Sequence, residues 1–87
     1  MKKETRKIQS LLVANRGEIA IRIMNTARKM DIKTYAIKTS KEPNALYLSH
    51  ADEIIDFSES LEEISEFLDI ERIIEAAKQH KIDAIHP

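Results

Sequence analysis

The sequence predicts an α/β fold, a mostly parallel sheet with helices on its flanks. Three observations lead there. Short apolar runs alternate with longer amphipathic segments along the chain. The runs are apolar at consecutive positions, as strands covered on both faces require. The 87 residues are 43% hydrophobic and 33% charged, an ordinary globular balance for a single small domain or part of one.

Residues 1–7 are polar and basic and are expected to form a tail, with the domain running over 8–87. Leu11-Leu12-Val13-Ala14 is the first predicted strand. It ends at the polar turn Asn15-Arg16-Gly17, where Gly17 is the sole glycine of the chain. A helix follows from about Gly17 to Met30, with Ile19, Ile23, Ala27 and Met30 at helical spacing and Ala20 and Met24 beside them. Lys33–Lys38 reads as the second strand. Thr39–Asn44, with Pro43, reads as a loop, and Ala45–Ser49 as a single helical turn. Glu53–Phe57 is the third predicted strand. Ser58–Phe67 is acidic and reads as a loop with a helical turn. Asp69 is placed to cap a second long helix over Ile70–His80, with Ile70, Ile73, Ile74 and Ala77 as its buried stripe. Asp83-Ala84-Ile85-His86 is the fourth strand.

Composition excludes several function classes. With no cysteine there is no disulfide framework, thiolate zinc site or thiol nucleophile. The net charge of -1 does not support a nucleic-acid or anionic-membrane surface. No apolar run approaches the ~20 residues that span a bilayer. The basic start lacks the long apolar region of a signal peptide, so a cytoplasmic location is expected. His50, His80 and His86 have no metal-ligand spacing, and no metal residue is assigned.

The turn Ala14–Ala20 occupies the place where dinucleotide-binding folds hold phosphate. It lacks G-x-G-x-x-G, and Glu18 in the first helical turn would repel a phosphate. A tight strand-to-helix turn needing one permissive backbone explains Gly17 better. His86, at a strand end, is the histidine best placed near a site, although it reads more simply as a turn anchor. The acidic Ser58–Glu66 stretch reads as a solvated surface rather than a cation site.

As a signature the same stretch is far more specific. Leu12-Val13-Ala14-Asn15-Arg16-Gly17-Glu18-Ile19-Ala20-Ile21-Arg22-Ile23 resembles the opening of the biotin carboxylase family, found in acetyl-CoA, propionyl-CoA and pyruvate carboxylases. The resemblance continues through Ile32-Lys33-Thr34, Ala45-Leu46, Ala51-Asp52-Glu53, Phe67-Leu68-Asp69-Ile70, Ile73–Ala77 and Asp83-Ala84-Ile85-His86-Pro87. Departures fall at Lys38–Asn44, Ile55-Asp56-Phe57 and Glu66-Phe67-Leu68. The resemblance implies a Rossmann-like, pre-ATP-grasp domain. The whole enzyme would carboxylate biotin on a carrier protein, using ATP, bicarbonate and Mg²⁺ or Mn²⁺. Its partners would be ATP-grasp and C-terminal domains, a biotin carboxyl carrier and a carboxyltransferase. Family chains continue from the match at Pro87 into a glycine-rich loop, so an incomplete domain, truncated at its C-terminus, is expected. No catalytic residue and no cofactor of its own are assigned to these 87 residues. His86 and Pro87 lead toward the glycine-rich loop, and Asn15, Arg16, Gly17 and Glu18 are the structural signature. Arg22, Asn25 and Lys29 form the face that contributes to a homodimer in the family. Only Arg22 matches there, and Lys29 reverses the family's charge. The competing expectation is a stand-alone Rossmann-like binding or self-association module.

Overall fold

A computed structural model describes residues 8–39, 44–57 and 70–87. Four strands, two α-helices and a 3₁₀ helix follow one another in these stretches: β1 (Ser10–Val13), α1 (Gly17–Lys29), β2 (Lys33–Lys38), the 3₁₀ helix (Leu46–His50), β3 (Glu53–Asp56), α2 (Ile70–Gln79) and β4 (Ala84–His86). The sheet is parallel throughout, in the order β3-β2-β1-β4. The element types expected for these stretches are present, with ends displaced by a residue or two. The Asp69 cap, the acidic Ser58–Glu66 stretch and most of the Thr39–Asn44 loop lie outside the described residues.

Side chains alternate across the sheet, as a strand's period of two dictates. On one face Leu12, Tyr35, Ile37 and Ile55 pack under Ile73, Ala76 and Ala77 of α2. On the other, Val13 and Ala36 pack under Ala20 and Met24 of α1 and under Tyr47 and Leu48 of the 3₁₀ helix. Opposite faces are the necessary result of two crossovers of one hand running in opposite directions, β1 to β2 and β3 to β4.

The buried stripes match the expected ones in part: Ala27, Ile73 and Ala77 are buried as expected, while other members are not. In α1 the buried residues are Ala20, Met24 and Ala27, while Ile19 and Met30 are 61% and 65% exposed. In α2 they are Ile73, Ala76 and Ala77, while Ile70 and Ile74 are exposed. Both helices meet the sheet through two alanines with one larger side chain, Met24 in α1 and Ile73 in α2. The alanines let the helix backbone lie close over the strands, and Ile19, Ile70 and Ile74 are turned to the flank.

Side-chain bonds fasten neighbouring strands near their N-terminal ends. The Asp52 carboxylate accepts from the Thr34 amide at 2.8 Å and from its hydroxyl at 3.2 Å, and the Thr34 hydroxyl accepts from the Asp52 amide at 3.1 Å. Asp83 accepts from the Gln9 amide at 2.8 Å, and its own amide donates to the Ser10 hydroxyl at 2.9 Å. The buried Tyr47 hydroxyl donates to the Ile37 carbonyl at 2.7 Å and pins the 3₁₀ helix to β2. The Tyr47 bond is buried and those of Thr34 with Asp52 are part-buried, so they satisfy groups that burial would otherwise penalise; the bonds of Asp83 are exposed.

Both helices end the same way. Ile32 donates to the Ala27 carbonyl at 2.9 Å and Asp31 to that of Arg28 at 3.0 Å; Ile82 donates to Ala77 at 2.8 Å and Lys81 to Lys78 at 3.1 Å. These paired closures are Schellman motifs, which place the residue after the cap in the left-handed region. Asp31 and Lys81 occupy it, at φ 63° and 56°, where glycine is usual.

Candidate functional site

In an open parallel sheet, ligands gather at the C-terminal strand ends, where the chain order reverses direction. That reversal falls between β1 and β4 here, because β2 lies on one side of β1 and β4 on the other. The signature turn Asn15–Glu18 leaves β1 at this point, and His86 and Pro87 lie at the end of β4 beside it. The fold therefore gathers residues more than 70 positions apart.

Asn15 joins them. Its Nδ2 lies 2.8 Å from the Pro87 carbonyl oxygen, 3.1 Å from His86 Nδ1 and 3.3 Å from the His86 carbonyl oxygen. The Ala14 amide also donates to the His86 carbonyl, at 2.9 Å, extending the ladder. Arg16 is extended at φ -135°, ψ 172° and begins α1 without a side-chain cap bond. Gly17 follows at φ 70°, the left-handed region, and a Cβ placed on it would meet nothing within 4 Å. Its need for glycine is thus conformational rather than steric. Glu18, exposed in the first turn, complements the positive end of the helix.

Arg22, Asn25 and Lys29 are all exposed on α1. Asn25 is not simply solvated: its Oδ1 lies 3.4 Å from His50 Nδ1. Arg28 donates to the His50 carbonyl at 3.2 Å, so the 3₁₀ helix is tied to the end of α1. Alongside the Arg22 position runs a feature that the sequence reading did not separate from the core. An open groove of about 480 Å³ lies between α1 and the β1–β4 part of the sheet, lined by Leu11, Ile19, Ile23, Met30 and Ile32 with Arg22 and His86. The signal for it was present as a second apolar stripe on α1, merged with the first.

No trio of metal-ligating side chains lies together among the described residues. Among them, too, no helix is long and apolar enough to cross a membrane. The arrangement offers a shaped strand-end crevice with a backbone turn, one imidazole and a helix N-terminus. It contains no paired general acid and base among the residues described.

The family described as biotin carboxylase, N-terminal domain, matches residues 7–87. The chain belongs to this family. A pyruvate carboxylase of Staphylococcus aureus is 48% identical to this biotin carboxylase N-terminal domain over 82 residues, covering 94% of the chain and 7% of the relative. A biotin carboxylase of Halalkalibacterium halodurans is 42% identical over 80 residues, covering 91% of the chain and 17% of the relative. Among solved structures, the biotin carboxylase domain dimer of Hydrogenobacter thermophilus 2-oxoglutarate carboxylase, in complex with MgADP, ADP and bicarbonate, superposes with a TM-score of 0.85. It is 34% identical, and the match covers 95% of this chain and 18% of that one. A complete Rhizobium etli pyruvate carboxylase gives a TM-score of 0.81 at 40% identity, over 92% of this chain and 8% of that one. The domain thus spans a small fraction of the curated relatives it matches.

Proposed function

We propose that this domain is the N-terminal scaffold of a biotin carboxylase that carboxylates carrier-bound biotin with ATP and bicarbonate. The observation that carries the proposal is the family match over 7–87, with the signature turn lying at the switch point between β1 and β4. In this reading residues 15–18, 86 and 87 form one wall of the site. ATP, Mg²⁺ or Mn²⁺ and bicarbonate are held by the rest of the enzyme, as are the catalytic groups. The biotin carboxyl carrier and the carboxyltransferase are its further partners, and a cytoplasmic location accompanies that assembly. Residues 1–7 serve as a tail ahead of the domain.

A chimera tests this. The chain replaces the corresponding residues of the Staphylococcus aureus pyruvate carboxylase, and bicarbonate-dependent ATP hydrolysis is measured. Retained activity is expected, with none from the 87-residue chain alone. A stable, folded but inactive chimera would sink the scaffold reading. So would turnover by the isolated chain.

A second reading is a stand-alone self-association module, and the exposed apolar stripe of α1 favours it. That reading expects a defined dimer of the isolated chain together with an inactive chimera.

A further inference from the structure

We infer that Asn15 is a positioning residue: it holds His86 in the tautomer with hydrogen on Nε2, so that this histidine is presented at the strand-end crevice as an N–H donor. The inference rests on the scaffold reading for its purpose, although its geometry stands without it. Two backbone carbonyl oxygens, those of His86 and Pro87, surround one end of the Asn15 carboxamide at 3.3 and 2.8 Å. Only an NH₂ group can face two carbonyls, so the orientation of the amide is settled by its surroundings. The same NH₂ lies 3.1 Å from His86 Nδ1. A ring nitrogen facing a donor must accept, and in a neutral imidazole the other nitrogen then carries the hydrogen.

A rival arrangement exists in the same geometry. His86 Nδ1 lies 3.2 Å from the Pro87 carbonyl, and a hydrogen on Nδ1 would point there. It would also confront the Asn15 NH₂, donor against donor. Asn15 therefore decides between the two tautomers. Nε2 makes no hydrogen bond among the described residues, and His86 is exposed beside the α1 groove. An Nε2–H donor there suits an oxygen-bearing ligand, a carbonyl or an oxyanion. It does not suit a metal ion, which needs an unprotonated nitrogen.

The test is a long-range ¹H–¹⁵N correlation spectrum of the ¹⁵N-labelled chain, extended by one residue so that the Pro87 oxygen is a neutral peptide carbonyl, at a pH where the ring ¹⁵N shifts themselves show neutral imidazoles. His80, whose ring meets Tyr35 edge-on, is the internal reference. His86 is expected in the Nε2–H pattern, more completely than His80. Asn15→Ala should bring in the Nδ1–H pattern as the Pro87 carbonyl takes over. Asn15→Asp, nearly isosteric, should also make Nδ1–H the main form, because a carboxylate has no hydrogen to donate to Nδ1 and is repelled by the two oxygens there, which frees Nδ1–H to meet the Pro87 oxygen. An Nδ1–H pattern in the unaltered chain would overturn the inference. So would a His86 ring spectrum that stays unchanged in folded Asn15→Asp. If Asn15→Ala does not fold, the unaltered chain and Asn15→Asp still decide. Since the readout needs no turnover, an inactive chimera with the expected tautomer defeats only the scaffold reading, and the converse result defeats only this one.

Discussion

At Asp31 and Lys81 the backbone pays for helix closure in conformation. Both sit in the left-handed region, which costs an L-residue about 1–2 kcal/mol, and less for Asp than for Lys because a short polar side chain tolerates it. Lys81→Gly is therefore expected to stabilise the chain by about 0.5–1 kcal/mol after the added freedom of the unfolded glycine is subtracted. Asp31→Gly should gain less. For a domain of this size 1 kcal/mol corresponds to roughly 4–8 °C in Tm, which thermal unfolding by circular dichroism resolves. Gly17→Ala runs the other way. It should cost about 1 kcal/mol, and Gly17→Asn less, because the open space around Gly17 leaves φ as the only obstacle. Equal losses for Ala and Asn would show that something besides φ requires glycine there. That Gly17 would need positive φ was legible in its position between a strand and a helix. That Asp31 and Lys81 would share it was not, since neither residue type announces it.

At the scale of elements, the roll of α1 has a measurable consequence. Met24 is fully buried under the sheet and Ile19 is mostly solvent-exposed. Met24→Ala should cost about 2–5 kcal/mol by the usual penalty for a core truncation. Ile19→Ala should fall within about 0.5 kcal/mol of neutral, as surface changes do. Chemical denaturation of the two variants checks this, and similar losses would return Ile19 to the core. Tyr47→Phe tests the hydroxyl that donates to Ile37. Removing the hydroxyl leaves the Ile37 carbonyl without that donor in a buried place, at a cost of about 1–2 kcal/mol. The positions of the helices could be read from periodicity, but the roll could not. Two overlapping apolar stripes satisfy the same spacing, and packing against the strands chooses between them.

For the whole molecule, the described sheet ends in two edge strands, β3 and β4, and one flank of α1 is apolar and open. Unpaired strand edges and uncovered apolar surface favour association. The isolated chain is expected to self-associate at high concentration, and Ile23→Glu in the α1 groove should weaken that association. Sedimentation velocity over a concentration series measures it; a monomer throughout would refute the expectation. Arg22, Asn25 and Lys29 lie along the same helix, so a Lys29→Glu variant separates the polar face from the groove. If association follows Ile23 and ignores Lys29, the apolar groove is the contact.

What the sequence by itself determined is the order of strands and helices, the parallel α/β class and the family. Each rests on local information: periodicity, turn residues and a contiguous signature from Leu12 to Ile23. What only the tertiary structure decided is which residues meet. Sheet order places β1 beside β4, and so brings Asn15 to His86 and Pro87 across 71 and 72 positions. No local pattern encodes that meeting. It comes from two crossovers of the same hand running in opposite directions, which put the first and last described strands side by side.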